Sequence, residues 1–104
     1  MNTTALLDLL IAEKHLLSEM GMLVREKESK DKEIKDLKTA LNSLYGSKAF
    51  ITKPTFSINY DYTKERIHEL RREVAKLDVK IEQFKDELRK TRSDIYYYFK
   101  DMEE

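Results

Sequence analysis

Cysteine is absent, and with it any disulfide framework or thiolate metal site. Tryptophan is also missing, proline occurs once, and the only glycines are Gly21 and Gly46. So few turn residues exclude a chain that folds back repeatedly into a wide, layered core. Two isolated glycines also exclude a glycine-rich phosphate loop. Neither charge is in excess: 20 basic and 20 acidic residues give a formal net charge of zero. The basic footprint of a generic nucleic-acid binder or a polybasic membrane anchor is therefore lacking. No apolar run approaches the roughly 18 residues of a membrane span. The apolar stretch from Leu6 to Ala12 contains Asp8, follows no basic segment and runs into Glu13 and Lys14. It reads as helix, not as a targeting signal. A cysteine-free chain of this kind fits a reducing compartment, and the expected location is cytoplasmic.

What is present is helical in character. The 104 residues are 38% charged and 40% hydrophobic, enough for a single domain over 1–104. The second half carries the cleaner signal. With Ile67, Val74, Ile81, Leu88, Ile95 and Met102 at heptad position a, position d holds Leu70, Leu77, Phe84, Thr91 and Tyr98. Only Thr91 departs from apolar, and that period marks a coiled-coil or bundle helix. In the first half, position a holds Leu6, Glu13, Met20, Lys27, Ile34 and Leu41, and d holds Leu9, Leu16, Leu23, Lys30, Leu37 and Leu44. Leu10, Leu17 and Val24 join at position e, a stripe wider than one partner helix covers. Lys27 and Lys30 lie on the seam inside the charged stretch Arg25–Glu33. Their stems can run along apolar neighbours with the ammonium in water, or the stretch can be a weak, bending segment.

These patterns predict helices over 5–45 and 62–102, each on the order of 60 Å at ~1.5 Å per residue. Thr3 or Thr4 would cap the first and Asp61 or Thr63 the second, and Gly46 would close the first. Between them, in the connector 46–61, Phe56, Ile58 and Tyr60 alternate with Thr55, Ser57 and Asn59. That period-2 pattern beside Pro54 predicts an extended or short β-like segment. The fold class expected is all-α: an antiparallel two-helix coiled-coil hairpin, dimerising into a helical bundle. The order helix, strand-like connector, helix resembles a prefoldin subunit in layout, and that resemblance implies a chaperone-like clamp.

Candidate chemistry is sparse. His15 and His68 are the only histidines, in a chain with no cysteine and few serines. Glu65 and His68 match the Glu-x-x-His spacing of di-iron bundles, but both fall off the seam and a second copy is missing. No catalytic residue, metal ligand or cofactor is expected. Ile95-Tyr96-Tyr97-Tyr98-Phe99 is the most unusual feature, because consecutive aromatics on a helix cannot all face one partner. In an antiparallel hairpin it lies beside the wide stripe of Leu6, Leu10, Leu17 and Val24. Together these residues form the expected interface with a second copy or another protein. Lys48, Phe50, Lys53, Phe56 and Tyr60 interleave cations and aromatics, the pattern of a partner or nucleic-acid contact. The function expected is that of a non-enzymatic scaffold, adaptor or small inhibitor, with a nucleic-acid-associated factor as the alternative and no membrane partner.

Overall fold

The computed structural model describes residues 3–45 and 54–103, with side chains over 4–43 and 60–102. Two helices account for them: α1, Thr3–Tyr45, and α2, Pro54–Glu103. Lys30 meets Glu73 while Glu33 meets Arg66, so α2 runs opposite to α1. The fold is an all-α antiparallel helical hairpin.

Two expectations about the connector need correction. Pro54 to Asp61 is helical, not extended, and Asp61 and Thr63 lie inside α2 instead of capping it. The prefoldin-like layout drew on the strand-like pattern of Thr55–Tyr60, which is helical, and residues 46–53 of the connector lie outside those described. The physical reason is register. Phe56 and Tyr60 also stand four apart, and they continue the seam of α2 backwards at positions d and a. Tyr60 is half-buried against the cluster of Ile34, Leu41, Ile67 and Leu70. A second helix beginning at Tyr62 would take Tyr60 out of the helix that packs on that cluster, so packing decides for helix. Pro54 suits the first helical position, because its fixed φ is pre-set and its missing amide would be unpaired there anyway. Gly46 lies outside the described residues. Thr3 is already helical, so the first helix starts earlier than expected.

The hairpin comprises two compact units. One contains Met1–Arg25 with Asp78–Glu104 (unit 1), the other Glu26–Leu77 (unit 2). In unit 2 the core is Ile34, Leu41, Ile67 and Leu70, with Leu37, Tyr60 and Val74 against it. In unit 1 it is Leu16, Ile81 and Leu88. Each of these side chains is at position a or d, as the heptads require. Burying one stabilises the chain by roughly 1.5–3 kcal/mol.

Charges on the seam are answered across the pair. Lys30 is half-buried, and its Nζ donates to Glu73 at 3.0 Å and lies 4.0 Å from Glu26. α1 is continuous through the charged stretch. The lysine stem therefore lies along the seam and its head is paired. In unit 1, Arg92 donates to Glu13 at 3.1 Å, which compensates the acidic residue at position a. In unit 2, Arg66 donates to Glu33 at 3.3 Å. Partial desolvation works against the Arg66 charge, but hydrogen bonds to Glu69 and Glu33 and the charges of both outweigh it, and its pKa is raised. The Lys30 hydrogen bond holds the Glu73 carboxyl below the ordinary carboxylate range, against a smaller desolvation effect. The lowered value means that folding favours the ionised carboxylate. The contribution is complete above the unfolded-state pKa and disappears as pH falls through the folded-state value. Glu73→Gln is therefore expected to flatten the acid limb of an unfolding-versus-pH curve below the ordinary carboxylate range. An acid limb identical to the parent's would show that the pair does not couple to folding.

Candidate functional site

The catalytic and metal candidates are dispersed. Glu65, His68 and His15 are exposed. Among the described residues no three His, Asp or Glu side chains gather as a metal-binding group, and no helix is long and apolar enough to cross a membrane. In unit 2 a groove of about 220 Å³ is lined by Tyr62, Glu65, Arg66, Glu69 and Arg72, all on one helix. In unit 1 a more open groove of about 500 Å³ has Met20 and Leu88 with Glu82, Lys85, Arg89 and Arg92 around it. Its cations are already matched. Lys85 pairs with Glu82, Arg89 with Asp86 and Arg92 with Glu13. Such exposed pairs contribute only ~0–1 kcal/mol each.

The connector candidates are not brought together as a described site. Lys48, Phe50 and Lys53 lie outside the described residues. Phe56 is on α2, but its side chain is outside the described ones. Tyr60 packs on the core of unit 2, and the Lys64 ammonium sits 5.1 Å from its ring centroid. That is a cation–π contact within the chain and occupies one face of the ring.

The expected interface residues all fall within unit 1. Leu6, Val24, Ile95 and Tyr98 are half-buried; Leu10, Leu17, Tyr96, Tyr97 and Phe99 are exposed. Tyr96 and Tyr97 meet edge to face at 5.4 Å, as do Tyr98 and Phe99 at 6.1 Å. These contacts pre-order the aromatic cluster without covering it. No residue from Thr4 to His15, nor from Arg89 to Met102, is buried. Yet these stretches hold Leu6, Leu7, Leu9, Leu10, Ile11 and the five residues Ile95–Phe99. The most apolar part of unit 1 is thus its least buried.

The geometry also shows a feature the heptad reading missed. Position e was recognised, but Leu7 at position b extends the same stripe: Leu7, Leu10, Lys14, Leu17, Gly21, Val24. Their spacing alternates three and four, which is a second seam on α1. It is offset from the first by one residue, or ~100° around the helix. A helix with two seams about a right angle apart is built for two neighbours, and α2 supplies only one. Gly21 on this stripe has no explanation inside the chain. A Cβ there would meet only the flexible end of Arg25, at 4.0 Å. Glycine inside a helix nevertheless costs roughly 0.5–1 kcal/mol relative to alanine. The signal for this second seam was present in the sequence as the b row, hidden because Lys14 and Gly21 interrupt its hydrophobicity. Comparison with protein families, with curated proteins and with solved structures finds no match to this chain.

Proposed function

We propose that this chain is a non-catalytic docking module, a scaffold, adaptor or small inhibitor, that works by presenting a helical-hairpin surface to another protein chain. One observation carries the reading. The apolar residues Leu7, Leu10, Leu17, Tyr96 and Phe99 stand exposed on unit 1, whereas among the described side chains of unit 2 Tyr62 is the only large apolar one so exposed. Leaving contiguous apolar surface in water is unfavourable, and such patches mark interaction sites. Tyr and Phe suit that role, since they bury large areas at little rotamer cost and Tyr keeps a polar tip for the rim.

The test is affinity purification of the full chain from its native host, run with two variants. Leu7→Ser combined with Phe99→Ser alters the unit 1 face. Tyr62→Ser alters an exposed aromatic of unit 2. Co-purifying chains identified by mass are expected to be lost with the first variant and kept with the second. The same set of chains recovered with both would end the proposal.

A further inference from the structure

We propose that the surface covering this face is a second copy of the chain, so that two hairpins complete a four-helix bundle in which α1 packs on α2 of its own chain and on α2 of the other. This rests on the docking reading above and names its partner. Three observations favour a second copy. First, the electrostatics permit it. The chain has zero formal net charge, and the basic side chains that precede Tyr96 and Phe99 in the same rows of α2, Lys85, Arg89 and Arg92, are each paired with a carboxylate of the same chain. Copies at zero net charge are not kept apart by long-range repulsion.

Second, the face is self-complementary in extent. Leu7, Leu10, Leu17, Tyr96 and Phe99 are each between 39% and 62% exposed. With ~150–250 Å² for an aromatic side chain and less for a leucine, they offer on the order of 400 Å² of surface. A standard interface takes ~800 Å² from each partner, about 65% of it apolar in homodimers. The two values are of the same order, and the same patch on both copies gives a closed two-fold contact.

Third, the apolar end of the second seam of α1, Leu7 and Leu10, has its counterpart on α2 in Tyr96 and Phe99. In an antiparallel pair the e rows of both helices border one side. Within unit 1, Arg92 at position e reaches Glu13 on α1 and marks that side of the pair. Tyr96 at b and Phe99 at e therefore share the side of Leu7, Leu10 and Leu17. A two-fold axis along the helices lays Leu7 and Leu10 of one copy against Tyr96 and Phe99 of the other. An axis across the helices would instead lay Tyr96 and Phe99 on the Lys85–Arg92 stretch, whereas the axis along them brings only Leu17 and Val24 there, beside basic stems whose charges are already paired. In the first arrangement Gly21 lies where the second helix passes, and its missing side chain permits the approach. Lys14 can lay its stem along the seam with its ammonium in water.

Sedimentation equilibrium of the full chain between about 1 and 100 µM tests this. The expected mass is twice the 12.4 kDa of the chain. Leu7→Asp with Tyr96→Asp is expected to sediment as the single chain with its far-ultraviolet helix signal intact. Gly21→Leu is a second, independent variant. It favours helix within the chain but blocks the approach, so dimer affinity is expected to fall tenfold or more. A parent chain that stays monomeric at 100 µM overturns the proposal, as does a dimer unaffected by both variants. Fluorescence of an apolar dye then separates the two readings. A monomer whose dye binding is lost in the Asp variant keeps the face as a docking site for a different chain. A monomer that binds no dye removes the docking reading as well.

Discussion

Leu70→Ala is expected to destabilise the hairpin by about 3 kcal/mol. Leu70 is the one side chain among those described with no exposed surface. It sits at position d between Ile67 and the next turn, in the cluster with Ile34 and Leu41. Removing a buried leucine side chain loses its transfer free energy and leaves a cavity that a two-helix seam can close only in part, and measured costs for such changes run ~2–5 kcal/mol. Total stabilities of small domains are only ~5–15 kcal/mol, so the change is a large share of the whole. Urea unfolding followed by helix signal, at one fixed chain concentration, measures it. Concentration must be held because any association adds to apparent stability. Val79→Ala is the matched control. Val79 is exposed on the outer face of α2, and a change within about 0.5 kcal/mol is expected there. A Leu70→Ala cost no greater than the control's would mean that the unit 2 core is not packed as described.

Lys32→Pro is expected to cost about 3 kcal/mol or more. Lys32 is exposed on α1 within the charged stretch, so its side chain contributes little. Proline there removes the amide that bonds four residues back and places its ring against that carbonyl. The cost is incurred only if the helix is continuous at that point, as α1 is. In a frayed or bent segment the same change would be nearly neutral. Lys32→Ala isolates the backbone effect, since alanine and lysine differ little in helix propensity. Circular dichroism and urea unfolding of the pair give the difference. Equal stabilities for the two variants would show that the stretch from Arg25 to Glu33 is not held as helix.

Much of the fold was legible because the information is local. Leu16, Ile34, Leu41, Ile67, Leu70, Leu77, Ile81 and Leu88 are the buried residues among those described, and each occupies an a or d position that spacing alone identifies. Heptad period survives even where composition is unhelpful, as at Thr91. The start of α2 was not legible for the opposite reason. From Thr55 to Tyr60 a period of 2 and a period of 3.5 share Phe56 and Tyr60, and Ile58 alone distinguishes them. Packing of Tyr60 on the unit 2 cluster goes with helix. The candidate site was legible in part. Its residues on α1 and α2 could be named from the e row and the aromatic run, but not the b-row members Leu7 and Gly21. The connector set centred on Lys48 and Phe56 was read from residue types without a register, and its one described side chain, Tyr60, belongs to the core.

Chain composition and spacing established two long amphipathic helices, their inward faces and the absence of a thiolate, because period and residue type are properties of one strand of sequence. Which charge answers Lys30 and Glu13, where α2 begins and which apolar side chains stay in water depend on the register between the helices. Register is set by the joint packing of residues more than forty positions apart, from Lys30 with Glu73 to Glu13 with Arg92, and only the folded hairpin places those residues together.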